Sequence, residues 1–221
     1  MSNVESHVVL VPHDPSEDRR RQILRAAVAC FARRGFHQTT MHDISAEAQI
    51  SVGLIYRYFE NKDAVISMIA MEHLADLRAM LEGARRAPSL FEALKIVFTC
   101  HCEEQPAHVQ ASFVADLYAE AARNEHVRAL VREVTEVFIG SLTELIASSE
   151  EAKSGAVSLP PRPAAELIVD SAHGMMIRAS LDSASVTSAQ FQERQLAVLR
   201  NLWLLLFTRT PIKGRDAQVH P

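Results

Sequence analysis

Apolar side chains recur at helical spacing along almost the whole chain, and this periodicity restricts the fold more than any other feature. Between Ile23 and Phe31 they occupy positions i, i+1, i+4, i+5 and i+8, which lie on one face of an α-helix. The 221 residues include only seven glycines and almost no alternation of β-branched with polar residues, so a β-sheet has no strands to be built from. The sequence therefore predicts an all-α protein.

Helix-capping residues divide the first third of the chain into four helices. Gly35 is a stop signal for the first of them. Thr40 and Asp43 resemble a capping box that opens a short second helix, and Ser51 and Asn61 can cap a third and a fourth. The four helices are predicted over about residues 17–34, 41–49, 52–59 and 62–86.

Longer helices fill the remainder of the chain, beyond the break at Pro88. They are predicted over about residues 89–105, 107–123, 126–150, 163–183 and 188–209. Residues 1–16 contain prolines and show no periodicity, so we expect a disordered arm there, and residues 211–221 are expected to form a frayed tail.

The charge is unevenly divided along the chain. The formal net charge is −4, but residues 19–62 contain eight Lys/Arg and only three Asp/Glu. This segment therefore carries a net charge of +5 and the rest of the chain a net charge of −9. A basic segment on an acidic body raises the expectation of a nucleic-acid partner, although a solvated basic face is the alternative.

The apolar runs near the chain ends do not have the form of membrane segments. The run 203–207 is too short to cross a bilayer, and the run 8–11 lacks the basic flank and cleavage site of a signal peptide. The three cysteines, Cys30, Cys100 and Cys102, fit a reducing compartment better than a disulfide framework. We therefore expect a cytoplasmic protein without a membrane partner.

The second and third helices, joined by a tight turn, have the helix-turn-helix arrangement. In this arrangement the second helix fits the major groove of DNA and presents its N-terminal residues to base edges. In the third helix, Ile55 and Phe59 are expected to face inward at positions i and i+4. The side chains left outward are Gly53, Leu54, Tyr56, Arg57 and Tyr58. They suit DNA better than a solvated face, although both tyrosines could instead be core residues.

The run TTMHDISAEAQISVGLIYRYFENKDAV resembles the DNA-binding domain of TetR-family regulators. The shared pattern is a threonine-rich entry, a short helix, a Gly-x-x-Tyr-x-Tyr-Phe segment and an Asn-Lys-Asp close, within residues 19–66. The residues that carry it are Thr39, Thr40, Gly53, Tyr56, Tyr58, Phe59, Asn61, Lys62 and Asp63.

This resemblance implies a set of DNA contacts. The set is Thr39, Thr40, Val52, Gly53, Leu54, Tyr56, Arg57, Tyr58 and Lys62. Among them, Thr40, Tyr58 and Lys62 are expected at phosphates, whereas residues 52–54, Tyr56 and Arg57 are expected at bases.

The resemblance also implies a C-terminal domain that dimerises and holds a small hydrophobic effector. The last two predicted helices are more apolar than one core needs. Pairing them with the same helices of a second copy would give a four-helix bundle. The alternative is that these apolar side chains form a core within one chain. The predicted dimer interface consists of Ile168, Gly174, Ile177, Leu181, Leu196, Leu199 and Trp203. The candidate effector contacts, chosen to form an apolar cavity with few polar points, are Leu94, Phe98, His101, Phe113, Leu117, Phe138, His173 and Met176.

The predicted organisation is a helix-turn-helix DNA-binding domain over residues 17–62 and a helical effector-binding and dimerisation domain over residues 63–210. We expect a repressor that binds a palindromic operator in double-stranded DNA as a homodimer and is released by its effector. A transcriptional activator or a ligand-independent regulator would share the same DNA-binding domain. An all-helical enzyme or carrier is the alternative of another class.

No enzyme activity, metal or cofactor is predicted. Cys100, His101 and Cys102 are consecutive, and successive helical residues point about 100° apart, so the three cannot converge on one ion. The sequence contains no Ser/His/Asp or Cys/His set at useful spacing and no glycine-rich phosphate loop.

Overall fold

The computed structural model describes residues 15–99, 107–181 and 187–207, and within these ranges all regular elements are helices. They are α1 (Pro15–Arg34), α2 (Met41–Glu47), α3 (Val52–Tyr58), α4 (Lys62–Ala84), α5 (Leu90–Thr99), α6 (Ala107–Ala121), α7 (Glu125–Ser148), α8 (Glu150–Lys153), α9 (Pro161–Ala179) and α10 (Ser188–Leu206). The all-α prediction is confirmed. No helix in the described ranges is both long and apolar enough to traverse a bilayer.

The predicted helix starts agree with the structure to within two residues. Helices α5, α7 and α9 begin at Leu90, Glu125 and Pro161, one or two residues from their predicted starts. Helix α1 begins at Pro15 rather than near Glu17, so it includes the last two residues of the predicted arm. Proline is favoured in the first helical turn because it has no N–H to leave unpaired, and Glu17 and Asp18 in that turn complement the helix dipole. The four-residue helix α8 was not predicted, because one turn leaves no periodicity to detect.

The N-terminal core forms where α1, α2 and α3 meet the first turns of α4. Ile23, Phe31, Ile44 and Ile55 are almost completely buried in it. The same cluster extends past residue 62 to Val65 and Ile66 on α4, and it also receives Ala121 and Val127 from α6 and α7. The helix-turn-helix is therefore completed by side chains from the rest of the chain.

A second, larger core lies among α4, α5, α7, α9 and α10. Its fully buried residues include Leu94, Leu142, Ile146, Ile168 and Leu199. Trp203 packs edge-on against Phe91, with ring centroids 5.2 Å apart, and stacks on Phe207 at 4.4 Å. Helix α6 packs against α1, α7 and α9, so it touches both parts of the molecule.

Replacing Leu142 by alanine tests this second core. The side chain is fully buried, so Leu142→Ala should lower the free energy of unfolding by about 2–5 kcal/mol, through lost burial and a residual cavity. Met71→Ala is the control: Met71 is 62% exposed, and its loss should change stability by no more than about 0.5 kcal/mol. Urea unfolding followed by circular dichroism measures both, and equal losses would contradict the assignment.

Candidate nucleic-acid interface

Side-chain caps define the N-terminal starts of α2 and α3. The Thr40 hydroxyl accepts a hydrogen bond from the main-chain N–H of Asp43, and the Asp43 carboxylate accepts one from the main-chain N–H of Thr40. Hydrogen bonds from the Thr40 hydroxyl and N–H, aided by Arg34, lower the pKa of Asp43. The Ser51 hydroxyl caps α3 by accepting from the N–H of Leu54. The predicted capping box and the predicted caps at Ser51 and Asn61 are confirmed.

Helix α3 has one buried face and one exposed face. Ile55 is completely buried and Phe59 is 4% exposed, as the i, i+4 pattern predicted. On the other face Tyr56 is 53% exposed, and the exposed Arg57 has no hydrogen bond or ion pair with any residue in the described ranges. A Cβ on Gly53 would meet no protein atom within 4 Å, so intramolecular packing does not require glycine there. The exposed face therefore leaves an arginine, an aromatic ring and bare backbone available to a partner.

The remaining predicted contacts on α3 are only partly accessible. Val52 and Leu54 lie at the rim of the exposed face. Tyr58 packs in part against the N-terminal core, so the alternative that it is a core residue is correct for part of its ring. Tyr56 does not belong to that core.

Thr39 requires a correction. Its side chain has no exposed surface, and its hydroxyl donates to the carbonyl oxygens of Gly35 at 2.8 Å and Cys30 at 3.3 Å. A hydroxyl buried on two carbonyls cannot contact DNA in this conformation. The sequence pattern placed Thr39 at the entry of the domain but could not separate its role from that of the exposed Thr40.

Lys62, predicted to hold a phosphate, is engaged within the protein. Its ammonium donates to the carbonyl oxygens of Phe36 at 2.7 Å and His37 at 3.1 Å, and it lies 4.8 Å from the centroid of the Phe36 ring. Burial lowers the pKa of Lys62. At most one of its three N–H donors is left for a phosphate.

The turn that Lys62 contacts is also held from the opposite side, by α6. The carboxylate of Asp116 accepts a hydrogen bond of 2.6 Å from the main-chain N–H of Phe36. Gly35 adopts φ +80°, and a Cβ there would lie 3.1 Å from the same carboxylate, so this turn requires glycine. Asp116, which the sequence analysis did not identify, therefore connects α6 directly to the helix-turn-helix.

The predicted effector contacts are not brought together as expected. Leu94 has no exposed surface and Phe98 only 3%, so both are core residues and not lining residues, which corrects their assignment. His101 lies outside the described residues. Phe113 and Leu117 pack against the N-terminal core, where Phe113 stacks on Phe31 at 6.3 Å, so they do not converge with α5. Helical spacing cannot show which neighbour a helix face meets.

The other three candidates lie in the C-terminal part. Phe138 and Met176 are partly buried against the second core. Nδ1 of His173 forms a hydrogen bond of 2.9 Å with the hydroxyl of Tyr118 on α6. Tyr118 was not predicted, because nothing in its local spacing distinguishes it from a packing residue.

The predicted dimer residues divide into two groups. Ile168 and Leu199 are completely buried within the monomer, so both belong to the intramolecular core, which corrects their assignment. Trp203 is partly buried, packs edge-on against Phe91 and stacks on Phe207, and its dimer contact stays a prediction. Leu196 is partly buried. Gly174, Ile177 and Leu181 are exposed, Leu181 by 84%, and Leu204 and Leu205 on α10 are exposed by 60% and 69%. The run Leu204-Leu205-Leu206 already contained this signal, because three consecutive helical residues cannot all face one core.

Comparison with known proteins assigns the N-terminal part. Residues 23–68 match the family model described as bacterial regulatory proteins, tetR family. Over 68 residues the chain is 46% identical to the HTH-type transcriptional regulator HbdR of Aromatoleum sp. (strain CIB), a match that covers 30% of this chain and 29% of HbdR. The chain spans less than two thirds of the length of the first curated relatives that it matches.

Solved structures share the fold over most of the chain. Salmonella enterica GusR is 25% identical, with a TM-score of 0.65, over 86% of this chain and 97% of GusR. Bacillus subtilis FadR, whose structure contains stearoyl-CoA, is 21% identical, with a TM-score of 0.60, over 81% of this chain and 96% of FadR. The second likeness concerns the fold alone.

Lys62→Ala tests the structural role of the ammonium. Because two carbonyls lose a charged donor, we expect the free energy of unfolding to fall by about 1–3 kcal/mol. Lys153→Ala, at an exposed i,i+3 ion pair with Glu150, is the control and should cost less than about 1 kcal/mol. If Lys62→Ala leaves stability unchanged but lowers the salt dependence of DNA binding by about one ion, the lysine is a phosphate anchor only.

Proposed function

Because the chain belongs to the TetR family of bacterial regulatory proteins, we propose that it is a cytoplasmic transcriptional regulator, not an enzyme, that binds operator DNA through α3. The exposed face of α3 carries this proposal. It presents Tyr56, Arg57 and the bare backbone of Gly53 on a helix that two caps and a buried face hold rigidly. A solvated face would not need an exposed aromatic ring beside an unpaired arginine.

The residue roles follow from exposure. Arg57 and Tyr56 are the exposed large side chains of α3, so they are assigned to base edges, with the partly buried Val52 and Leu54 at the margin of the contact. Thr40 is exposed at the start of α2 and Tyr58 keeps part of its ring accessible, so both are placed at phosphates. The net charge of +5 over residues 19–62 supplies the sequence-independent attraction.

A homodimer supplies the second half of the operator contact. Leu167, Gly174, Ile177 and Leu181 follow one another at intervals of seven, three and four residues. They are exposed along one stripe of α9 that continues to the second residue beyond it. Leu204 and Leu205 extend the apolar surface on α10. Two copies that pair over this surface form a four-helix bundle and read a palindrome whose half-sites lie about 34–36 Å apart.

Regulation by a small molecule has a structural route in this chain. The turn 35–37 is held by Asp116 from α6 and by Lys62 from the start of α4. A ligand that shifts α6 would therefore displace the helix-turn-helix of each subunit and alter the spacing of the two α3 helices. FadR, which has the same fold, is held in complex with stearoyl-CoA, so this fold can accommodate a small-molecule effector. Release of DNA on effector binding makes the protein a repressor.

Arg57→Ala tests base recognition. We expect the variant to lose about 1–3 kcal/mol on the preferred operator and to lose sequence preference at one position of each half-site. Operators are first selected from random double-stranded DNA with the full chain, and both proteins are then compared on operator and random DNA. Arg86→Ala, on an exposed i,i+4 ion pair at the end of α4, is the control. Equal losses on both DNAs would mean that Arg57 contacts phosphate and not a base.

Leu205→Glu tests the dimer. A carboxylate in the middle of the apolar surface should convert the dimer to a monomer at micromolar concentration and weaken operator binding, because each copy then holds one half-site alone. Light scattering gives the mass. Met71→Glu, at a methionine on α4 that is 62% exposed, should remain a dimer. A monomeric unmodified protein would refute the proposed assembly.

A further inference from the structure

Four helices of the C-terminal part bring five polar side chains together, in a group that we name the polar recess. It consists of His73 on α4, Tyr118 on α6, Thr135 on α7, and Asp170 and His173 on α9. The Tyr118 hydroxyl lies 2.9 Å from Nδ1 of His173, and the Thr135 side chain is near enough to lower the pKa of Tyr118 against the larger effect of burial. The rings of Tyr118 and His173 meet edge-on, with centroids 5.4 Å apart.

The side chains of the recess keep part of their surface accessible. Helix α6 packs against α1, α7 and α9, yet of residues 108–118 only Ala111 is fully buried. A helix enclosed on several sides would normally bury most of its side chains. His73 is also exposed, although the protein around it is dense enough to lower the pKa of its imidazole by desolvation. Accessible surface within dense surroundings is the signature of a concave site.

The imidazoles and the phenol of the recess are uncharged near neutral pH. Burial lowers the pKa of both His73 and His173, so both imidazoles are neutral, and burial raises the pKa of the Tyr118 hydroxyl. The charged groups that act on these three side chains are the carboxylates of Asp76 and Asp170. An anion placed here would therefore meet negative charge, whereas a neutral donor or acceptor would meet several hydrogen-bonding partners.

Apolar side chains lie next to these polar groups on the same helix faces. Phe138 follows Thr135 by three residues on α7, and Met176 follows His173 by three residues on α9. Both are only partly buried, and both were among the effector contacts predicted from the sequence. A site with an aromatic and thioether wall and a small set of neutral hydrogen-bonding groups selects an apolar body that carries one polar group.

We propose that the polar recess selects an uncharged effector, an aromatic or alicyclic molecule with one hydroxyl or carbonyl group, against acyl-CoA thioesters and other anions. The Tyr118 hydroxyl and the imidazoles of His73 and His173 exchange hydrogen bonds with the polar group, while Phe138 and Met176 contact the ring. This inference rests on the proposed ligand response and specifies its chemistry. It departs from the stearoyl-CoA held by FadR, a protein that shares only the fold at 21% identity.

Four probes test the charge preference on the full chain: 2-naphthol, naphthalene, 2-naphthoate and stearoyl-CoA. Equilibrium dialysis at neutral pH should show the tightest binding for 2-naphthol, weaker binding for naphthalene, and the weakest binding for the two anions. Tyr118→Phe should lower the affinity for 2-naphthol about 3- to 10-fold and leave that for naphthalene unchanged, because only the hydroxyl contact is lost.

Two further variants keep the test independent of folding. His173→Gln leaves a side chain that can still donate and accept, so it should weaken 2-naphthol binding less than Tyr118→Phe does. Thr143 lies two turns beyond Thr135 on α7, and its hydroxyl donates to the Ile139 carbonyl one turn before it. Thr143→Val should therefore bind every probe like the unmodified protein. If Tyr118→Phe also binds naphthalene more weakly than the unmodified protein does, the substitution has damaged the fold, and the assigned role of the hydroxyl is overturned.

The outcomes separate this inference from the proposed function. Tighter binding of 2-naphthoate or stearoyl-CoA than of 2-naphthol, equal binding of 2-naphthol by Tyr118→Phe and the unmodified protein, or no binding of any probe would overturn the inference. Selection of an operator by the same preparation would in each case leave the DNA-binding function intact. A protein that binds 2-naphthol through Tyr118 but selects no DNA sequence would instead refute the regulator.

Discussion

The organisation of the molecule depends on two charged side chains that hold one turn from opposite sides. Asp116 accepts from the N–H of Phe36, and Lys62 donates to the carbonyls of Phe36 and His37. Polar main-chain groups in a partly buried turn must be satisfied, and here the partners come from α6 and α4. The position of the helix-turn-helix is therefore set by helices outside it.

This constraint explains why the two cores are not independent. Ala121 and Val127 complete the N-terminal core, and Phe113 stacks on Phe31, so α6 and α7 serve both parts of the chain. On its other side α6 carries Tyr118, which contacts His173 in the polar recess. Asp116 lies on the same helix as Tyr118, two residues before it. A displacement of α6 at the Tyr118–His173 contact would therefore also move Asp116. The proposed effector site and the DNA-binding surface are thereby joined without a separate linker.

Sequence reasoning succeeded where an interaction is local and failed where it is not. The caps at Thr40, Ser51 and Asn61 involve partners three residues away, so the sequence contains both members of each pair. Leu94, Ile168 and Leu199 were assigned to ligand or dimer contacts but are buried in the monomer. An apolar residue on a helix has the same periodicity whether it meets its own chain, a second copy or a ligand, so spacing alone cannot assign its partner.

By itself the sequence determined the helical fold, the helix boundaries to within a few residues, and the residues of α3 that point away from the core, because periodicity and capping are properties of neighbouring residues. Only the tertiary structure showed that Thr39 is buried, that Lys62 and Asp116 hold the same turn, and that Tyr118 meets His173. Asp116 is 80 residues from Phe36, and Tyr118 is 55 residues from His173. Contacts at such separations are set by how the helices pack, and that packing is the sum of many weak apolar interactions spread over the whole chain.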